Sequence, residues 1–379
     1  MSQPSKAPQV VVAGHICLDV IPALSGTPDV RPGGLAVIGP SAVSTGGPVG
    51  NVGLALHRLG VPVRLVAKIG DDLFGRGVIE VLRGHDPALA EGMVVVPGET
   101  TSYSIVISPP GSDRMFMHCP GANDTFAAAD VPPDRLAGAR VLHFGYPPIM
   151  RRIYGDGGAG LRELFAQARA RGLLVSLDTC RPDPRGGEVD WVAFLERVLP
   201  VVDVFAPSLG ELCAMLRLPP RAIDLGWLRA LARRVLAMGP AVFALKLGEQ
   251  GLYLRTQPED ARLAHACNGL ELDLDDWRAR EILAPCFRAR RVAGTTGSGD
   301  CTIAGLLAAM LRGEGPVTAA TSASAVGACS VEAPDATSGV PRWDEVAARL
   351  TEGWPRLPLA ERLAGTEAWR RDERGTLFA

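Results

Sequence analysis

Thr295-Thr-Gly-Ser-Gly-Asp300 sets Gly297, Ser298 and Gly299 directly ahead of a carboxylate and an apolar run. Ile303, Leu306, Leu307 and Met310 recur at i, i+3, i+4 and i+7, which predicts an amphipathic helix beginning near Asp300 and ending around Gly313. Small residues at that N-terminus let backbone N–H groups come close to a ligand, and the helix dipole adds roughly half a positive charge there. Such a nest suits a phosphate or its transition state. A carboxylate beside it can take the proton of an attacking hydroxyl as the phosphoryl group arrives. The plainer role for Asp300, a helix cap worth ~1 kcal/mol, is geometrically compatible. Upstream, Ser44-Thr-Gly-Gly-Pro-Val-Gly-Asn51 places Gly46 and Gly47, which allow close backbone approach, ahead of an Asn that offers both donor and acceptor to a sugar hydroxyl.

These groups need a frame. Short β-type runs at 10–13, 63–67, 141–144, 173–177, 201–205 and 242–247 alternate with helical segments or loops, which implies a parallel sheet covered on both faces. Residues 19–44, rich in Pro and Gly, and residues 100–118, which read as a hairpin, interrupt the pattern. Antiparallel strands inserted early in such a chain suggest a small lid over the strand ends. Residues 255–291 read as an irregular insertion and 350–379 as a tail without a strong period.

Composition narrows the partners. The chain has 379 residues, 47% hydrophobic and 21% charged, which favours a compact protein over a disordered one. A formal charge of −2 supplies no basic field for a phosphate backbone, so nucleic acid is not expected as a partner. No apolar leader opens the chain and no apolar run reaches the ~20 residues of a spanning helix, so the expectation is a cytoplasmic protein with no membrane partner. Eight cysteines without C-x-x-C spacing are expected to be free buried thiols. Lysine occurs only at Lys6, Lys68 and Lys246, which singles out Lys246 at a predicted strand end. P-loop, H-E-x-x-H and G-x-S-x-G signatures are missing from the sequence. Residues 155–160 satisfy G-x-G-x-x-G, but ten residues with Pro147-Pro148 separate them from the preceding strand. A dinucleotide loop leaves its strand directly, so a plain Gly-rich loop is the better reading.

Taken together, the two glycine segments resemble the PfkB/ribokinase family of carbohydrate kinases, which carries G-G-x-x-x-N near its N-terminus and T-T-G-[AS]-G-D near its C-terminus. The resemblance runs over residues 10–345 and leaves 346–379 as a C-terminal tail. It implies an α/β, ribokinase-like three-layer sandwich with a central mostly parallel sheet and a small β lid formed by residues 19–44 and 100–118. It also implies an ATP-dependent phosphotransferase that uses Mg²⁺ and acts on a hydroxyl of a small sugar or related polyol. By that similarity Asp300 is the catalytic base, and Gly297, Ser298 and Gly299 form the anion hole. Asp19, Gly46, Gly47, Asn51 and Asn123 are the acceptor site. Lys246, Gly248, Gly251 and Thr295 lie on the nucleotide side, where the plainer reading of Lys246 is a surface cation. A nucleoside is the alternative acceptor, because the apolar lid residues Ile105, Ile107 and Phe116 could cover a base. A ligand sensor on a kinase fold is the alternative from outside enzymology, and a homodimer could form through the lid.

Several positions depart from the family pattern. Ser208-Leu-Gly-Glu211 keeps the acid of N-x-x-E and loses the amide, so Glu211 is the metal candidate. Gly294 stands where many relatives have an Asp of a monovalent-cation site, which leaves potassium dependence open. Cys17 replaces an Asn that often binds sugar, Cys180 follows Asp178 where other members use Asn, and Pro48 replaces the Lys of G-G-K versions. These changes bear on specificity more than on chemistry.

Overall fold

A computed structural model describes residues 7–28, 31–110, 114–187, 189–258, 260–364 and 369–379. Part of the expected hairpin turn, at 111–113, and of the tail, at 365–368, lies outside the described residues. The strands in chain order are β1 (Val10–Gly14), β2 (Cys17–Pro22), β3 (Ser41–Gly46), β4 (Val63–Gly70), β5 (Met93–Val96), β6 (Tyr103–Ile107) and β7 (Met115–Cys119). They continue as β8 (Val141–Gly145), β9 (Leu174–Leu177), β10 (Val204–Phe205), β11 (Val242–Lys246), β12 (Leu252–Thr256), β13 (Glu281–Ala284), β14 (Arg370–Arg371) and β15 (Leu377–Phe378). One sheet has the order β14-β15-β13-β12-β11-β10-β9-β8-β1-β4-β5, and a second has β3-β2-β6-β7.

The run from β5 to β11 is parallel, and β12, β13 and β15 add to it antiparallel. Alternation along β1 shows why both faces need cover. Val10 and Val12 join one apolar cluster with Leu54, Leu65, Ile303 and Val326. Val11 and Ala13 join another with Phe144, Leu161, Phe194 and Leu228. Since successive side chains point to opposite faces, a strand whose every residue is apolar must be sandwiched. Helices Gly47–Arg58, Ser298–Met310 and Pro316–Ser330 supply one layer, and helices Ala159–Ala170, Trp191–Val198 and Leu225–Ala237 the other.

The second sheet is the lid. β2 runs antiparallel to β3, parallel to β6, and β6 antiparallel to β7, so the expected hairpin is present. Its register sets Cys17 opposite Gly46 and Asp19 opposite Ser44.

Three sequence expectations need correction. Within the stretch read as an irregular insertion, helix Asp260–Leu270, helix Leu274–Trp277 and β13 extend the sandwich. The segment read as a tail without a strong period carries β14 and β15, and β15 pairs with β13, so it extends the main sheet; helix Trp343–Thr351 crosses position 345/346. The run at 201–205 shrinks to Val204–Phe205, because Pro200 sits in a 3₁₀ turn over Leu199–Val201.

Candidate active site

Every parallel strand near the middle of the main sheet ends beside the same cleft. His15 follows β1, Tyr146 follows β8, Asp178 follows β9, Ser208 follows β10, and Lys246 closes β11. The carboxyl ends of parallel strands are where α/β folds gather ligand-binding groups.

Asp300 approaches this cleft from the helix Ser298–Met310, which starts two residues earlier than expected. Gly297 turns the chain into it with a φ of 71°, and a Cβ there would come within 2.4 Å of the Ala336 Cβ. Only glycine meets both conditions. Gly299 carries no positive φ, and a Cβ there would sit 3.4 Å from the Lys246 Nζ. The lysine ammonium therefore lies against the same helix turn as the amides of Gly297, Ser298 and Gly299.

The carboxylate of Asp300 is not a cap. It is 2% exposed. Asn51 Nδ2 donates to its Oδ2 at 2.7 Å, and the Tyr146 hydroxyl donates to its Oδ1 at 3.0 Å. Burial pushes this carboxyl up from the ordinary range, while Lys246, Asn51 and Tyr146 pull it back. The result is a carboxylate that two side chains orient and that is more basic than a surface aspartate, which suits a general base.

Tyr146 was not legible as a site residue. It sits just past β8 with a φ of 64°, in the left-handed region that non-glycine residues adopt at a cost of about 1–3 kcal/mol. The only signal in the sequence is Pro147-Pro148, which ends the strand and fixes the turn. Because Tyr146 donates to the charged form of Asp300, its loss lets the carboxyl rise further. Tyr146→Phe is therefore expected to move the acidic limb of the kcat profile to higher pH, measured as initial rate against pH with saturating acceptor. An unshifted limb would separate Tyr146 from the base.

Lys246 is 9% exposed, and its Nζ donates to Asp178 Oδ1 at 2.8 Å, so the surface-cation reading fails. Burial raises the Asp178 carboxyl despite the adjacent ammonium, with Glu211 and Asp300 adding to the rise. Glu211 is half committed: its Oε2 accepts from the Ser208 N–H at 2.8 Å, and Ser208 Oγ accepts from the Glu211 N–H at 3.4 Å. This is a capping box that fixes the helix Leu209–Met215. Gly248 and Gly251 shape the tight return from β11 to β12, both with positive φ, and a Cβ on Gly251 would lie 2.0 Å from the Ala284 carbonyl oxygen. Thr295 Oγ1 accepts from Arg114 at the lid tip, so the lid reaches the segment that leads into the nest.

On the acceptor side, Asp19 is 5% exposed and its Oδ1 accepts from the Cys17 thiol at 3.1 Å. Burial pushes it up to about 6, and the charge of Asp300 contributes, so the two carboxylates share one electrostatic environment. Gly46 is required by this aspartate, since a Cβ would fall 2.2 Å from Asp19 Oδ2. Gly47, at a φ of 75°, would place its Cβ 2.4 Å from His15 Nδ1. Asn51 Oδ1 is buried with no partner among the described residues, leaving an acceptor for a hydroxyl.

Asn123, expected in the acceptor site, uses its amide on the backbone of Ile16. Its Nδ2 donates to the Ile16 carbonyl at 2.8 Å, its Oδ1 accepts from the Ile16 N–H at 3.2 Å, and it is fully buried. Both ends of the amide pin the chain leaving the lid to the β1–β2 junction, one residue before Cys17. Asn123→Ala strands a buried N–H and C=O, and is expected to cost about 2–4 kcal/mol of unfolding free energy in urea titration.

The Gly-rich loop at 155–160 is closed to a pyrophosphate. Asp156 accepts from the N–H groups of Gly158, Ala159 and Gly160 at 2.8, 3.1 and 2.9 Å, which occupies the helix N-terminus a nucleotide would need.

A mainly parallel α/β sheet, a β lid rooted at its strand ends and a buried acid at a helix N-terminus define a lidded small-molecule phosphotransferase. The chain belongs to the pfkB family of carbohydrate kinases, whose family model, "pfkB family carbohydrate kinase", matches residues 7–343. A nucleoside kinase of Methanothermobacter thermautotrophicus is 25% identical over 91% of this chain and 96% of its own. A 2-dehydro-3-deoxygluconokinase of Bacillus subtilis is 23% identical over 84% of this chain and 90% of its own. The structure of Arabidopsis thaliana ribokinase complexed with ribose and ATP superposes with a TM-score of 0.67 at 19% identity, covering 90% of this chain and 98% of that one, which establishes the fold. All eight cysteines are free, and no helix among the described residues is long and apolar enough to cross a membrane.

Proposed function

We propose that this kinase transfers the γ-phosphoryl group of ATP to a hydroxyl of a small sugar or related polyol, with Asp300 as the general base. The carrying observation is the placement of Asp300: buried in the first turn of its helix, held by Asn51 and Tyr146, directly behind Gly297, Ser298 and Gly299. The acceptor hydroxyl would lie between Asp300 and Asp19, with Asn51 Oδ1 taking a further hydroxyl proton in a hydrogen bond. Asp300 accepts the proton of the attacking hydroxyl. The amides of Gly297, Ser298 and Gly299, with Lys246 alongside, meet the charge that develops on the transferred group. Contact between Arg114 and Thr295 draws the lid over the cleft, which excludes water and limits hydrolysis of ATP.

The donor set fits a magnesium nucleotide. Asp178 Oδ2 is buried with no hydrogen-bond partner among the described residues, and Glu211 stands close enough to raise it. These two carboxylates would hold Mg²⁺, directly or through its waters, and bound Mg²⁺ supplies charge neutralisation across the phosphates. A panel of sugars, sugar acids and nucleosides assayed for acceptor-dependent ADP release tests the proposal. Turnover on none of them, by folded protein with MgATP, would leave the sensor reading.

A nucleoside acceptor is the second reading, favoured by the similarity to the M. thermautotrophicus enzyme and by half-buried Ile105 and Ile107 on β6. The outer lid exposes Leu35, Val37, Val43, Met115 and Met117. A second copy of the chain docking there would cover them. Sedimentation is expected to show a dimer that Met117→Lys weakens.

A further inference from the structure

His15, Cys17 and His118 bring their ligating atoms within 4.8 Å of one another at the root of the lid. None of the three takes part in the phosphoryl transfer described above. His15 lies between β1 and β2, Cys17 opens β2, and His118 comes across from β7. We propose that these residues form a site for a borderline divalent cation of the zinc class, bound through His15 Nε2, His118 Nε2 and Cys17 Sγ.

The two imidazoles meet head to head, Nε2 to Nε2 at 3.3 Å. Two metal–nitrogen bonds of about 2.0–2.1 Å at a tetrahedral angle span about 3.3–3.4 Å, so this pair already has the bite of a metal site. Two rings that both carry Nε2–H could not face each other in this way, so at least one nitrogen presents a lone pair. Ser104 Oγ lies 3.0 Å from His118 Nδ1 and orients that ring from behind, in the position that the outer partner of a ligating histidine takes. His15 Nδ1 is buried without a partner among the described residues. Burial keeps the His15 ring toward the neutral form that ligates.

Thiol coordination releases a proton: Cys17–SH and the dication give the metal thiolate and H⁺. The thiol already donates to Asp19 Oδ1 at 3.1 Å, which places that carboxylate to take the proton; burial and the Asp19 charge push the thiol up, so it is the charge of the dication that has to favour the thiolate. One sulfur and two imidazole nitrogens select zinc-class ions over magnesium, which takes oxygen ligands. An ion there ties β7 of the lid to the root of β1. His118 is exposed and gives the ion a way in.

Titration of Co²⁺ into chelator-stripped, reduced full-length protein tests the site without any assay of turnover. The expected result is one equivalent bound, with tetrahedral d–d bands and a thiolate charge-transfer band, resistant to excess Mg²⁺. Cys17→Ser should abolish the charge-transfer band, and His118→Ala should weaken binding by more than ~10-fold. Asp300→Asn should bind as the parent does, which separates this site from the kinase reading. Zn²⁺ should raise the melting temperature of the parent and not that of His118→Ala. Because His118 is exposed, that variant decides the matter even should Cys17→Ser fail to fold. Equal binding by His118→Ala would assign the ion to other cysteines, and no binding would leave a hydrogen-bonded histidine pair; either result overturns the proposal.

Discussion

Replacing Asp300 by Asn is expected to lower kcat by ~10²–10⁴ while ATP affinity and circular dichroism stay close to the parent, the loss typical of a general base. The side chains are nearly isosteric, so the Tyr146 hydroxyl and Asn51 amide keep a neighbour at Asp300. Stability should not suffer from removal of the charge, because burial already disfavours the ionised form. A role confined to the helix start would predict the reverse, a lower melting temperature with normal turnover. Measuring kcat on the acceptor found by the panel, beside thermal unfolding, distinguishes them. Near-parental kcat in the Asn variant would remove the base from this mechanism.

Gly299→Val should be folded and nearly inactive, with kcat/KM down by about 10²–10³, the scale of losing a preorganised donor at a developing anion. The geometry makes this a clean test. Gly299 needs no positive φ, and an added Cβ meets Lys246 at an ordinary 3.4 Å, so the backbone tolerates a side chain. What a branched side chain removes is the open approach to the amides. Gly297→Val would be a poorer test, since its φ of 71° and the Ala336 contact would strain the fold itself. Circular dichroism and kinetics on Gly299→Val, with unchanged kcat/KM as the contrary result, locate or dismiss the nest.

Much of this site could be read from residue order because its parts are local. Gly46, Gly47 and Asn51 share one strand-to-helix turn, and Gly297 to Asp300 share another, so close backbone approach is written into adjacent residues. The connection between them is not local. Asn51 reaches Asp300 across 249 residues, and only the docking of helix Gly47–Arg58 beside Ser298–Met310 brings them together. Tyr146 escaped notice because its role comes from a left-handed turn past a strand end rather than from a pattern. Lys246 remained ambiguous between surface and site until β10 and β12 were seen to flank its strand. The insertion hides its strand for a similar reason: β13 is four residues long and buried on both faces, so it shows no alternation.

The strand order also dictates when activity can arise during synthesis. β1 lies between β8 and β4, so the amino-terminal strands are neighbours in one sheet, and the strands made after β8 follow along one edge in nearly the order they are made. Asp300, the proposed base, is carried by a helix that follows β13, and its hydrogen-bond partners, Asn51 and Tyr146, are synthesised well before it. In a nascent chain the proposed general base would therefore be missing until translation has passed residue 300. Ribosome-bound fragments would be catalytically silent, and competence would come in a single late step when one helix seats.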